Sequence, residues 1–323
     1  MPIFSRMHRV KTGVFMVLAL ALVLLCGGVR AQSVRGDLTA RFADIPTIEY
    51  QGKTYTLNRR MTSMLFIGVD RSGDAAGTGY RYGGQADFLL LMAIDDQEKI
   101  VTPIIISRDA VTTVDVYSVH GKKTGTRQAQ IALAHAFGDG GEVSAQLTAL
   151  ALSRLLLDTP VDEALSMNMD GIAALNDALG GIEVTLKDDF TAYDPAMTAG
   201  TTLRLMGMQA EYYLRQRYYV GDQTNASRLA RQRIYMDKAA ALIQEQSGRS
   251  SAFAVRLFEA VEPYTVSTMN RGRLINLINK LVTYEVMPMR EIAGESRIDG
   301  NGFMAFYPDE DALTELVVSV FYR

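Results

Sequence analysis

Phe88-Leu89-Leu90-Leu91-Met92-Ala93-Ile94, the charged turn Asp95-Asp96-Gln97-Glu98-Lys99, and Ile100-Val101-Thr102-Pro103-Ile104-Ile105-Ile106-Ser107 follow one another without a break, and their reading decides the fold. Two continuous apolar runs joined by so short a polar segment predict two buried strands paired antiparallel. That pairing sets the start of the first run beside the end of the second, so Asp87 faces the neighbourhood of Arg108 and Asp109. Pro103 has no amide hydrogen to give to a ladder, which predicts an edge or a bulge there.

Working outward, Met64-Leu65-Phe66-Ile67-Gly68-Val69-Asp70 reads as a buried strand ending at a carboxylate. Residues 71–86 hold five glycines and no apolar period, and read as a loop. Before them, Thr47 to Tyr50 and Thr54 to Leu57 read as a small hairpin turning at Gln51-Gly52. Downstream, helices are predicted over Gln128 to Phe137 and Val143 to Leu157, and again over Gly171 to Leu179, Met208 to Arg215 and Asn225 to Gln246. Two more are expected near Ala252 to Glu259 and Arg271 to Thr283, with strands at Ala164 to Met169 and Gly181 to Thr185; Leu313 to Tyr322 fits helix or strand. Strands alternating with helices of this size predict an α/β fold, a layered α-β-α sandwich with a central mixed sheet and helices on both faces.

The chain has 323 residues, 48% hydrophobic and 21% charged, enough for a large core and too apolar for a disordered tail. Residues 1–31 contain Arg6, Arg9, Lys11 and Arg30 and no acid; of the 33 bases and 36 acids in the chain, 29 and 36 therefore lie beyond residue 31, a net charge of −7. That balance argues against nucleic acid as a partner. Gly13 to Val29 is a run of 17 residues without charge, the short end of what spans a bilayer as a helix. With bases before it, it predicts a single-pass protein of the cell membrane with its N-terminus in the cytoplasm and everything beyond about residue 31 outside. Val29-Arg30-Ala31 also fits a signal-peptidase site, and cleavage after Ala31 would give a secreted form. Residues 32–61 then read as a linker with the small hairpin and 62–323 as one extracellular domain. The single cysteine, Cys26, lies in the apolar run, so the rest of the chain has neither a disulfide nor a cysteine-held metal.

Five arginines, Arg215, Arg217, Arg228, Arg231 and Arg233, fall within nineteen residues of this net-acidic exterior chain. Guanidinium forks match phosphate oxygens, and several together would neutralise a pyrophosphate; a solvated basic helix face is the plainer reading of the same spacing. Asp70, Asp87, Arg108 and Asp109 each stand at the edge of a predicted strand. Carboxylates so placed suit an oxygen-seeking cation, Mg²⁺ or Mn²⁺, with the arginine anchoring a phosphate oxygen, although a helix cap and a turn would use aspartates too. His8, His120 and His135 carry no zinc motif, there is no Gly-x-Ser-x-Gly elbow, and Gly121-Lys122-Lys123-Thr124 has Val116 where a phosphate loop needs glycine. A nucleotide-binding kinase and a serine hydrolase are thereby disfavoured.

Six ordered elements carry a family likeness: Ile67-Gly68-Val69-Asp70, Gln85-Ala86-Asp87, Ser107-Arg108-Asp109, the stretch Leu175-Asn176-Asp177-Ala178-Leu179-Gly180-Gly181-Ile182, Tyr213-Leu214-Arg215-Gln216-Arg217, and Arg228-Leu229-Ala230-Arg231-Gln232. Over about residues 62–245 the chain resembles the LytR-CpsA-Psr family of cell-envelope glycopolymer transferases. The resemblance implies a membrane-anchored enzyme that takes a polyprenyl-pyrophosphate-linked glycopolymer, such as a teichoic acid or capsule precursor, and transfers it with one phosphate to a peptidoglycan hydroxyl. It implies pyrophosphate binding by Arg108, Arg215, Arg217, Arg228, Arg231 and Gln232, Mg²⁺ at Asp70 and Asp87, and Asp109 as base or metal-site partner. Residues of the helices between 128 and 157, with Phe137 and Leu155 to Leu157, would line a slot for the lipid or simply pack a core.

Two departures stand out. Gln85 occupies the place of a family arginine, which removes a positive charge that Arg81 could partly replace. Asn225 stands where an acid is usual, with Asp222 three residues earlier as a substitute. A pyrophosphatase acting on polyprenyl-pyrophosphate lipids, or a non-catalytic binder of anionic envelope lipid or polymer, would use the same residues.

Overall fold

The structure is a computed structural model and describes residues 46–72, 79–223, 225–247, 251–274, 276–277, 284–300 and 302–323. The predicted membrane segment, residues 1–31, lies outside them; among the described residues no helix is long and apolar enough to cross a membrane. In chain order the elements are β1 (Thr47–Tyr50), β2 (Lys53–Thr56), β3 (Met61–Val69), β4 (Ala86–Asp95), β5 (Ile100–Ile106), β6 (Val111–Tyr117), β7 (Lys123–Gln130), α1 (Ala132–Ala136), α2 (Glu142–Leu155) and β8 (Glu163–Asn168). There follow α3 (Asp170–Ala178), β9 (Ile182–Thr185), β10 (Thr202–Leu205), α4 (Met208–Arg215), α5 (Asn225–Ser247), α6 (Ser251–Val261), β11 (Thr265–Ser267), β12 (Glu285–Val286), β13 (Arg290–Glu291), β14 (Gly294–Ile298), β15 (Met304–Pro308) and α7 (Glu310–Phe321). The described residues fall into two compact units, one of 46–167 with Val266–Arg323 and one of Asn168–Thr265.

The larger unit is built on a mixed sheet with strand order β11-β8-β3-β4-β5-β12, β13 also pairing β5. The two apolar runs quoted first are β4 and β5, antiparallel from Leu89↔Ile106 to Asp95↔Ile100. Both sheet faces are buried, because the centres of the strands are apolar on both sides: Met64, Phe66, Leu90 and Met92 lie on one face and Leu65, Ile67, Leu89 and Leu91 on the other. The second face joins Ala145, Ala149 and Leu152 of α2 and Leu316, Val317 and Phe321 of α7 in one core. Each such side chain contributes about 1.5–3 kcal/mol on burial.

Pro103 is neither at the edge nor in a bulge. β5 has outer parallel partners, β12 at Ile100 and Val101 and β13 at Ile104 and Ile105. The outer neighbour is interrupted over residues 287–289, opposite Thr102 and Pro103, where a proline has no amide to offer. The bulge lies elsewhere: Gly68 pairs Phe88 and Val69 pairs Ala86, leaving Asp87 as the extra residue of β4. Gly68 is needed for this close approach, since a Cβ there would lie 3.0 Å from the Phe88 Cβ.

One expectation changes, and further elements appear that the sequence left open. The helix predicted over Gln128 to Phe137 is a strand to Gln130 and a helix only over Ala132–Ala136; β7 pairs β6 from Val111↔Gln130 to Tyr117↔Lys123, and its polar residues are exposed rather than covering the sheet. β10 and the β14–β15 hairpin are strands where polar sequence signalled none. The last apolar stretch is helix α7, capped by the Asp309 side chain accepting from the Ala312 N–H at 2.9 Å. Beyond α7 the chain is strapped to β2: Thr56 and Arg323 exchange both backbone hydrogen bonds at 2.9 Å, Leu57 bridges Tyr322, and the Arg323 guanidinium reaches Asp95.

In the smaller unit, β9 and β10 form a ladder beside α3 to α6. The Asn176-Asp177 pair of the Gly-Gly stretch is structural. Asn176 is fully buried, donates to the Leu205 carbonyl at 2.8 Å and accepts from the Tyr235 hydroxyl at 3.1 Å, while Asp177 accepts from the Gly207 N–H at 2.7 Å. Burial raises the Tyr235 hydroxyl above its ordinary pKa, the nearby Asp177 adding to it, so the phenol stays a neutral donor.

Candidate functional site

In the larger unit the bulge at Asp87 re-aims a side chain at the end of the sheet, a common device beside functional sites. Arg108, two residues beyond the end of the paired β5, ion-pairs with Asp87 through Nη1, donates from Nη2 to Gln85 Oε1 at 2.8 Å, and holds Nε 3.7 Å from Asp109 Oδ1. The departure at Gln85 thus has a geometric meaning: an amide oxygen accepts from Arg108 where a second guanidinium would have repelled it. Arg108 and Asp87 are each about a third exposed, 37% and 30%, so both remain open to a ligand.

Gln130 on β7 donates from Nε2 to Asp109 Oδ1 at 3.0 Å and to the Met304 carbonyl at 2.5 Å. Sequence reasoning missed this residue because the strand carrying it was read as helix. Asp70 lies at the end of β3, exposed, with its N–H donating to the Gln85 carbonyl at 3.0 Å. Asp70 and Asp87 are oxygen donors at neighbouring strand ends, the donor type Mg²⁺ takes. Among the described residues no group of three His, Cys, Asp or Glu could hold a metal; Mg²⁺ is commonly held by one or two carboxylates with substrate phosphates completing its shell, and two aspartates fit that mode.

The loop leading to Gln85 is fixed from below. The Arg81 N–H donates to the Gly138 carbonyl at 2.9 Å, and a Cβ on Gly83 would come within 2.8 Å of the His135 carbonyl. His135 donates from Nδ1 to the Gly84 carbonyl at 3.2 Å and is 1% exposed. Burial pushes its pKa down to about 4, with Arg71 acting in the same direction and the Gly84 and Gly83 carbonyls opposing, so the imidazole is neutral.

In the smaller unit the arginines divide by role. Arg215 is the last residue of α4 and ion-pairs with Glu211 one turn back, at 2.5 Å; Arg217 stands two residues on, past an extended Gln216, and stacks on the Tyr218 ring at 5.0 Å. The stretch is therefore a helix end, as the predicted helix over Met208 to Arg215 requires. Arg228 is half-buried on α5, and Asp222 is exposed in the loop before it. Arg231 is 4% exposed and turns inward: it pairs with Asp188 at 2.9 Å, donates to the carbonyls of Tyr213 (3.1 Å) and Gln216, and lies over the Phe190 ring at 5.2 Å. Gln232 donates to the Leu214 carbonyl at 2.9 Å. Together they satisfy the carbonyls that a helix end leaves open, and so hold Arg215 and Arg217 in place. Asp188 and Phe190 were invisible to motif reasoning, being distant in sequence from Arg231, and Glu211 lies outside the recognised motif although one turn from Arg215.

Comparison with known proteins adds to this geometry. A model of the LytR_cpsA_psr family matches residues 38–318. Biofilm regulatory protein A of Streptococcus mutans is 30% identical over 207 residues, covering 60% of this chain and 48% of that protein. The polyisoprenyl-teichoic acid--peptidoglycan teichoic acid transferase TagU of Halalkalibacterium halodurans is 30% identical over 155 residues, 48% of this chain and 44% of that protein. The chain spans about half the length of these curated relatives. The crystal structure of protein gbs0355 from Streptococcus agalactiae superposes with a TM-score of 0.61 at 23% identity over 81% of this chain and 86% of that one, a likeness of fold.

Proposed function

The chain belongs to the LytR-CpsA-Psr family, and from that premise we propose that it transfers a phosphate-linked glycopolymer from a polyprenyl pyrophosphate carrier to a peptidoglycan hydroxyl at the outer face of the cell membrane. The observation that carries the reading is Arg108 gathered with Gln85, Asp87 and Asp109 at one end of the sheet. A partly exposed guanidinium flanked by carboxylates suits a transferred phosphoryl group next to an acid or base.

In this reading the acceptor hydroxyl oxygen attacks the phosphorus that carries the polymer. The bond between that phosphorus and the bridging oxygen breaks, polyprenyl phosphate leaves, and the hydroxyl proton passes to Asp109. Gln130, donating to Asp109 Oδ1, leaves Oδ2 as the accepting oxygen. Arg108 in the larger unit donates to a phosphate oxygen as charge builds on it; in the smaller unit Arg215, Arg217 and Arg228 offer donors of the same kind to phosphate. Arg231 and Gln232 act through Arg215 and Arg217 as positioning residues. Mg²⁺ held by Asp70 and Asp87 would neutralise further phosphate charge.

The test incubates the full chain in detergent with a lipid-linked pyrophosphate glycan and Mg²⁺, with and without peptidoglycan oligomers. Polymer attached to peptidoglycan, lost with EDTA and restored by Mg²⁺, is expected. Release of free glycan phosphate alone would replace the transferase reading with a pyrophosphatase, and binding without turnover would replace it with a non-catalytic binder.

A further inference from the structure

Two arginines of the larger unit meet on one aromatic ring. Arg81, in the loop before β4, and Arg127, on β7, bring their guanidinium carbons to 5.8 and 5.6 Å from the centroid of Phe137. Both are exposed, and among the described residues neither is ion-paired with a carboxylate. The ring face attracts each cation by about 0.5–1 kcal/mol, but the two cations repel one another. Among the described residues the arrangement includes no anion.

The pair is also held ready. Arg81 has φ 72°, the left-handed region, which costs a non-glycine residue about 1–2 kcal/mol. Its N–H bond to Gly138 and the tight seat of Gly83 hold it there. Two residues before Arg127, Gly125 has open space where a Cβ would stand, so the strand beside Arg127 is bare. Tyr80, next to Arg81, stacks on Tyr117 of β6 at 5.6 Å. Along β7, Arg127 is three residues from Gln130, the residue bonded to Asp109. That is about 10 Å of strand, farther than the two phosphorus atoms of one pyrophosphate lie from each other.

We infer that Arg81 and Arg127, seated on Phe137, bind a phosphate group of an anionic, phosphodiester-linked glycan, one repeat or more along the polymer from the reacting pyrophosphate. The inference rests on the transferase reading for its substrate, and it moves Arg81 from the pyrophosphate to the polymer. It makes the protein selective for polymers that carry charge along their length, since a neutral glycan has nothing to offer two guanidinium groups.

The test uses the full chain in detergent micelles with two probes, a synthetic hexamer of glycerol phosphate and farnesyl pyrophosphate, which has the tail and pyrophosphate without a glycan. Arg127→Gln is expected to weaken hexamer binding about tenfold and to leave farnesyl pyrophosphate within about twofold; Arg81→Gln with Arg127→Gln should abolish hexamer binding at the concentrations tested. Arg81→Gly relieves the left-handed backbone, so its unfolding midpoint should hold or rise while hexamer affinity falls, the opposite of what a purely structural arginine would do. Unchanged hexamer binding in the double variant overturns the inference. So does an equal loss for both probes in Arg127→Gln, which would place that arginine at the pyrophosphate. Failure of the wild-type chain to bind farnesyl pyrophosphate would count against the transferase reading, and the hexamer result would still decide this one.

Discussion

Arg108 is where the site's electrostatics concentrate, because its fork is divided among an amide and two carboxylates instead of being matched to one partner. Replacing it by Gln keeps hydrogen bonding and removes the charge. We expect Arg108→Gln to lower the rate of polymer transfer by about 100-fold or more, the scale for one lost donor to developing charge. The unfolding midpoint should barely move, since the side chain is more than a third exposed. Single-turnover transfer with a labelled lipid-linked glycan, beside thermal melts, checks both. His135 belongs to the same scale. Its folded pKa, about 4, lies below the ordinary value near 6.5, so between those pH values the unfolded chain binds the extra proton and the folded chain does not. Stability is complete above about pH 6.5 and falls by about 3 kcal/mol on going down to pH 4. Urea unfolding of the wild type and His135→Gln across that window should show the slope reduced in the variant.

Among the elements, α4 and α5 show how motif residues divide between binding and support. Arg231→Leu leaves Asp188 without its partner and opens two carbonyls, and should cost about 3 kcal/mol in chemical unfolding; Gln232→Ala, losing one neutral hydrogen bond, should cost about 1 kcal/mol. Sequence alone located these arginines without telling them apart, because the partners that turn Arg231 inward, Asp188 and Phe190, lie some forty residues earlier. The same division holds for the fold. β3, β4 and β5 were legible because apolar runs between charged turns have few alternative structures, and their pairing correctly brought Asp87 to Arg108. β7 was not, because Lys123 to Gln128 is polar and exposed and owes its strand form to hydrogen bonds with β6. With β7 misread, Gln130 and Arg127 could not be placed.

For the molecule as a whole, the proposed function places an acidic domain, −7 beyond residue 31, at the outer surface of the membrane with the uncharged run before it as tether, and that placement is testable. The full chain should sediment with membranes and resist alkaline extraction, and protease added outside intact spheroplasts should cleave it. A chain lacking residues 1–31 should stay soluble in the cytoplasm, and recovery of the full chain in the culture medium would instead favour cleavage after Ala31. The strap from Thr56 to Arg323 bears on how such a protein matures. In the proposed topology the polypeptide is exported beginning with its N-terminal side, so the backbone groups of residues 56–58 would reach the far side of the membrane early and wait, unpaired, for Phe321 to Arg323. Closure of the larger unit waits until residues 321–323 have followed. Until then its most apolar strands stand partly uncovered, which makes folding slow and the emerging chain dependent on factors that delay its aggregation.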